Sequence, residues 1–145
     1  NFSKRLVKMP KLYFYDTGLA AWLLGIRTTE QMVTHPLRGS IFETFIISEL
    51  IKSKFNKGDK PSFFFWRDSN GNEIDLIVER GTKLQRIEIK SVRTLTHESF
   101  AGLEKWQSLA GKKSVSPALI YGGNESYTQR GIKVVGWKAC GELLK

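Results

Sequence analysis

The feature that most constrains the fold is a change of hydrophobic period near residue 61. From Arg38 to Phe55 the apolar residues recur at helical spacing, through Ile41, Phe42, Phe45, Ile46, Ile47, Leu50 and Ile51. After Lys57-Gly58-Asp59-Lys60-Pro61 the period drops to two. Ser62–Asp68, Asn72–Arg80 and Leu84–Val92 read as strands, with Ser69-Asn70-Gly71 and Gly81-Thr82 as the turns between them. A long helix packed on one face of an antiparallel meander buries both patterns. Helical spacing returns at Glu98–Ala110, where Phe100, Leu103, Trp106 and Leu109 line one side. Pro117–Tyr121 is then a buried strand, Ile132–Trp137 a last strand and Lys138–Leu144 a short final helix. Upstream, Lys11–Tyr15 is expected as a short strand. Thr17–Leu24 follows as a helix capped by Asp16 and stopped by Gly25. The fold class is α/β with a central mixed sheet flanked by helices.

A length of 145 residues suits one domain, and 41% hydrophobic with 12% aromatic residues supplies a core, which excludes wholesale disorder. No apolar run approaches the roughly 20 residues of a membrane span, and Asn1-Phe2-Ser3-Lys4-Arg5 opens no secretory pattern. The single cysteine, Cys140, excludes an intrachain disulfide and a multi-cysteine metal site, so a reducing, cytoplasmic setting is expected. Twenty-three Lys and Arg against fourteen Asp and Glu leave +9, with a pI near 9.8. That excess suits nucleic acid as partner; a solvated basic surface is the alternative. The chain opens on Asn1 rather than methionine, and a domain cut from a longer polypeptide is expected.

Four charged residues break the packing rules of the elements that carry them. In the third strand Ile87 and Ile89 point to one face, and Glu88 and Lys90 to the other. In the second, the same alternation groups Ile74, Leu76 and Val78 against Glu73, Asp75, Ile77 and Glu79. A hairpin about Gly81 then brings Asp75 across from Glu88 near one sheet end. Paired carboxylates resist joint ionisation, and a hard cation such as Mg²⁺, which takes oxygen ligands, relieves them. Glu43 falls among Ile46, Ile47 and Leu50, where an acid needs a partner or a metal. A first-turn acid complementing the helix dipole is its alternative reading, and a surface salt bridge is that of Glu88 and Lys90. Arg67, ending the first strand, is placed to hold a phosphate or to pin a carboxylate.

Taken in order, Glu43 on a helix, Asp75 on the second strand and Glu88-Ile89-Lys90 on the third resemble the PD-(D/E)XK nuclease superfamily over roughly residues 37–121. Ile74, rather than proline, precedes Asp75. The resemblance implies a restriction-endonuclease-like core and Mg²⁺- or Mn²⁺-dependent phosphodiester hydrolysis. Asp75, Glu88 and the Ile89 carbonyl would ligate the metal, with Glu43 doing so directly or through water. Lys90 would orient or deprotonate the attacking water, or stabilise charge on the phosphate.

A second resemblance covers nearly the whole chain. Lys11-Leu12-Tyr13-Phe14-Tyr15-Asp16-Thr17-Gly18-Leu19 is similar to the start of a bacterial and archaeal domain of unknown function, number 4143. So are Gly39-x-x-Phe42-Glu43-x-Phe45-x-x-x-Glu49-Leu50, Phe65-Trp66-Arg67 with Glu73-x-Asp75, and Ile87-Glu88-x-Lys90-Ser91. It implies a single domain over residues 1–145, C-terminal to an AAA-type P-loop ATPase module of the same longer chain. Residues 1–36 would be an N-terminal extension, 37–121 the nuclease-like core and 122–145 a C-terminal strand and helix. No G-x-x-x-x-G-K-[ST] occurs here, so ATP phosphates find no P-loop among these residues. No organic cofactor is expected.

Two function classes fit: a metal-dependent nuclease-like domain, and a non-catalytic module that binds DNA, a partner protein or the ATPase core. Geometry separates them. Catalysis needs Asp75 and Glu88 oxygens on a common ion, at about 2.0–2.1 Å for Mg²⁺. The module expects those carboxylates tied to Arg67, Lys90 or other donors. His35 and His97 are lone and lack ligand spacing. Cys140 reads as packing, and Trp22, Trp106 and Trp137 as core. Lys4, Arg5, Lys8 and Lys11, and Lys52, Lys54, Lys57 and Lys60, read as phosphate-facing flanks or as solvated surface.

Overall fold

The computed structural model describes residues 10–68, 71–110 and 115–144. Two short helices, α1 (Thr17–Leu23) and α2 (Thr29–Thr34), precede the long α3 (Arg38–Phe55). The strands are β1 (Phe63–Arg67), β2 (Glu73–Arg80), β3 (Lys83–Lys90), β4 (Ala118–Tyr121), β5 (Tyr127–Gln129) and β6 (Ile132–Gly136). Helix α4 (Glu98–Ala110) joins β3 to β4, and a 3-10 helix (Trp137–Leu144) closes the chain.

Among the described residues six strands form one open mixed sheet in the order β1-β2-β3-β4-β6-β5. β1, β2 and β3 are the antiparallel meander, β3–β4 and β4–β6 are parallel, and β5 lies antiparallel on β6. One face packs Ile46, Ile47 and Leu50 of α3 and Cys140, Leu143 and Leu144 of the 3-10 helix against Leu76, Val78, Ile87, Ile89 and Ile120. The other packs Phe100 and Leu103 of α4 against Ile74, Ile77, Leu119 and Val134. Full burial of each such aliphatic side chain stabilises by about 1.5–3 kcal/mol. The buried hydroxyls on α3 are satisfied within the helix: Thr44 donates to the Ser40 carbonyl and Ser48 to that of Phe45.

Helix α1 is capped by Asp16, whose Oδ1 accepts from the Leu19 N–H at 3.0 Å, and Gly25 past its end has φ 77°. Helix α2 was not legible in the sequence; it is started by a capping box between Thr28 and Gln31. Three expectations are corrected. Residues 11–15 belong to no strand. Their alternation is present, with Lys11 and Tyr13 turned inward, but they face α3 and β2 instead of a sheet edge. Trp22 is 59% exposed rather than core, with the Arg27 guanidinium 5.0 Å from its ring centroid. The parity of β2 is broken by a β-bulge: Phe64 pairs with Ile77 but Trp66 with Ile74, so three steps on β2 match two on β1. Ile74 therefore joins Ile77 on the α4 face, while Leu76 and Val78 face α3. The Ser69-Asn70 half of the first hairpin turn, Lys4, Arg5, Lys8 and the Trp106 side chain lie outside the described residues.

Candidate functional site

The bulge sits at Asp75, next to the last paired rung of the β2–β3 ladder, Leu76 with Ile87. Freed from the regular pleat, the Asp75 carboxylate turns toward β3, and its Oδ2 accepts from the Ile89 N–H at 2.9 Å. Glu88 and Lys90 stand on either side of Ile89. Glu88 Oε1 accepts from Lys90 Nζ at 2.6 Å. Glu88 Oε2 is buried and has no hydrogen-bond partner. It lies against α4, 3.7 Å from where a Cβ on Gly102 would be.

Glu43 reaches the same end of the sheet from α3. The helix begins at Arg38, so Glu43 is past the first turn and the dipole reading of its position is withdrawn. Arg38 ties the start of the helix to the strand, donating from Nη2 to the Ser91 carbonyl at 2.7 Å, one residue beyond Lys90. Glu43 Oε1 accepts from Tyr13 Oη at 2.6 Å and from Lys11 Nζ at 2.8 Å. The same ammonium pairs with Glu73 and lies 3.7 Å from Asp75 Oδ1. Arg67 pins a carboxylate: its Nη2 is 2.5 Å and its Nε 2.7 Å from Glu73 Oε2.

Burial, then Glu88 and Glu43, raise the Asp75 carboxyl to about 7 against the offsetting Ile89 N–H and Lys90. Burial also leads the upward shift of Glu88, with Lys90 opposing it. Burial alone would lower Lys90 and Lys11; Glu88, Asp75 and Glu43 together outweigh it for Lys90, as Glu43, Glu73 and Asp75 do for Lys11, and both end above their ordinary value. Burial pushes Glu73 up, but Lys11 and Arg67 outweigh it and hold Glu73 down.

The structure thus gathers Glu43, Asp75, Glu88 and Lys90 at one end of the sheet, with Arg67 one carboxylate removed. Sequence reasoning missed Lys11 and Tyr13 as members and left Glu73 out of the site. The signal for the first two was their i, i+2 spacing beside outward Leu12. Lys11, expected on a basic flank, stands among acids. Lys52 and Lys54 pair instead with Glu49 and Asp59. Among the described residues no group of three or more His, Cys, Asp or Glu side chains stands as a ready-made metal site; Lys11 sits where the α3 and β2 carboxylates converge. None of the described helices is long and apolar enough to cross a membrane.

Residues 38–140 match the family model Domain of unknown function (DUF4143). The chain belongs to this family. Its matched span runs from the first residue of α3 to Cys140 and holds Glu43, Arg67, Glu73, Asp75, Glu88 and Lys90. Lys11 and Tyr13 fall outside it, within residues 1–30, which are similar to a second model, Domain of unknown function (DUF8612). Over 94 residues the chain is 33% identical to an uncharacterized protein of Mycobacterium bovis (strain ATCC BAA-935 / AF2122/97) and to one of Mycobacterium tuberculosis (strain ATCC 25618 / H37Rv), which is 65% of this chain. The match spans 20% of the length of each relative.

Proposed function

We propose that this family member is a PD-(D/E)XK, restriction-endonuclease-like domain that hydrolyses phosphodiester bonds of DNA with Mg²⁺ or Mn²⁺, as the C-terminal module of a cytoplasmic AAA-type ATPase. The run α3-β1-β2-β3-α4-β4, with its meander and parallel β3–β4 pair, supports the fold. The observation that carries the function is negative charge the site's own groups leave uncompensated. Glu43, Glu73, Asp75 and Glu88 face Lys11, Lys90 and Arg67, Asp75 is raised to about 7, and Glu88 keeps a buried oxygen without a donor. Buried polar oxygens are rarely left so, and a hard divalent cation is the chemistry that satisfies this one.

Asp75 and Glu88, with the Ile89 carbonyl, would hold the ion, and Glu43 would do so directly or through water. Bound there, it supplies Lewis-acid polarisation and an acidified water. The chain's own part is positioning. The Ile89 N–H fixes Asp75, and Glu88 fixes Lys90. Lys90 keeps its proton at neutral pH, so it orients the attacking water and stabilises charge gathering on the phosphate rather than acting as base. Hydrolysis forms a bond from water oxygen to phosphorus and breaks the ester bond, the leaving oxygen taking up a proton.

Supercoiled plasmid and single-stranded DNA, incubated with Mg²⁺ or Mn²⁺ and with chelator, test this. Metal-dependent scission is expected, falling about 100-fold or more in Lys90→Ala. Equal scission in both proteins, or none in either, contradicts it. A second reading is favoured by the donors already on the acids, Lys11, Tyr13, Lys90 and the Ile89 N–H: a non-catalytic module binding DNA or a protein partner. It expects no scission but retained duplex binding.

A further inference from the structure

We propose that Lys11 is a built-in competitor for the cation of this site, so that the segment Pro10–Tyr15 decides when the site can load a metal. The inference rests on the metal reading above and extends it to regulation. One ammonium spans two elements: Lys11 Nζ is 2.8 Å from Glu43 on α3, pairs with Glu73 on β2 and is 3.7 Å from Asp75 on β2. Glu43 and Asp75 cannot give the same oxygens to a divalent ion while this charge stays, since two cations at that separation repel. Tyr13 anchors the arrangement, its hydroxyl donating to the Glu43 oxygen that Lys11 uses.

The plug is incomplete. It neutralises the α3 and β2 acids but does not reach Glu88 Oε2, whose side chain is only 9% exposed and which no donor satisfies. A monovalent ammonium therefore stands in for part of what the acids can bind.

The segment is also placed to leave. It belongs to no strand of the sheet, so withdrawing it breaks no ladder. Lys11 and Tyr13 are its inward side chains, alternating with Leu12, which is 81% exposed. The Lys11 ammonium lies 5.6 Å from the Phe65 ring centroid, and Lys11 lines a pocket of about 240 Å³ together with Asp75, Phe63, Phe65 and Leu76. Lys11 and Tyr13 lie outside the family match that holds the acids. A partner that draws residues 10–15 away would open the site without touching the acids.

Calorimetric titration of this chain with Mn²⁺ alone tests the idea, on wild type, Lys11→Met, Tyr13→Phe, Asp75→Asn and the double variant Lys11→Met/Asp75→Asn. A competitor that occupies the site nine-tenths of the time lowers apparent affinity about tenfold. Lys11→Met is therefore expected to bind Mn²⁺ about tenfold more tightly than wild type, Tyr13→Phe to fall between them, and Asp75→Asn to abolish the gain. Tyr13→Phe leaves every charge in place and keeps the comparison open if Lys11→Met folds poorly. Equal affinities in wild type, Lys11→Met and Tyr13→Phe, all lost with Asp75→Asn, overturn the competitor and leave the metal site standing. No Mn²⁺ binding by any of the proteins overturns the metal site and the competitor with it.

Discussion

Asp75 exposes 14% of its side chain, and burial, with Glu88 and Glu43 behind it, raises its carboxyl from 3.8 to about 7. Between those values the folded chain binds more protons than the unfolded one. The favourable contribution is thus complete below about 3.8 and is lost as pH rises through about 7. Glu88, also raised, adds in the same direction. In chelator, the melting temperature of the wild type is expected to fall as pH rises through that window, and that of Asp75→Asn to fall less. At the alkaline end Asp75→Asn should be as stable as the wild type or more so, since its amide oxygen still accepts from Ile89 and one repelling charge is gone. Thermal melts over a pH series check this, and a variant several degrees less stable at every pH would contradict it. Arg67 is a different case: its side chain is 47% exposed on Glu73. Arg67→Ala is expected to cost only about 0–1 kcal/mol in urea unfolding, as exposed ion pairs do.

At the scale of elements, the parallel pairing of β3 and β4 sets the position of Lys90. Lys90 pairs with Tyr121, and the Gly122 N–H bonds the Lys90 and Val92 carbonyls at 3.0 Å each. A Cβ on Gly122 would lie 2.7 Å from the Ser91 carbonyl oxygen, a clash with backbone. Gly122→Ala is expected to destabilise by about 1–3 kcal/mol, as overpacking does, and to displace Lys90; denaturant unfolding measures the first. A neutral result would mean that the β3 end yields freely, against a fixed Lys90. Here too lies the measure of what was readable in the sequence. Helix α3, the meander and α4 announce themselves because their apolar periods run over many residues. Helix α2, at six residues, and β5, at three, are too short to show one. The bulge at Asp75 was hidden because an extra residue is a property of the ladder with β1, not of β2 alone. Glu43, Asp75, Glu88 and Lys90 were legible as charges where packing offers them little. Lys11 was not, because its meaning depends on Glu43, 32 residues away.

Over the whole molecule the excess of +9 remains even though one end of the sheet is acidic. On the proposed nuclease reading, such a balance would serve two ligands, the acids a metal and the basic excess a polyanion. Weak duplex DNA binding with little sequence preference is expected, its log affinity falling linearly with log salt at about −0.9 per phosphate contact. Fluorescence anisotropy at several salt concentrations reads that slope, and no binding at about 50 mM salt would shift the weight to a protein partner. The central claim, that this sheet end is a divalent-metal site, is tested most directly by thermal melts of wild type and Asp75→Asn, each with chelator and with Mg²⁺ or Mn²⁺. A ligand that binds only the folded chain stabilises it by mass action. The wild type should gain several degrees with metal and Asp75→Asn should gain none. If metal shifts neither melt while Asp75→Asn loses several degrees in chelator, the acids are structural partners of Lys11 and Lys90, and the metal site is contradicted.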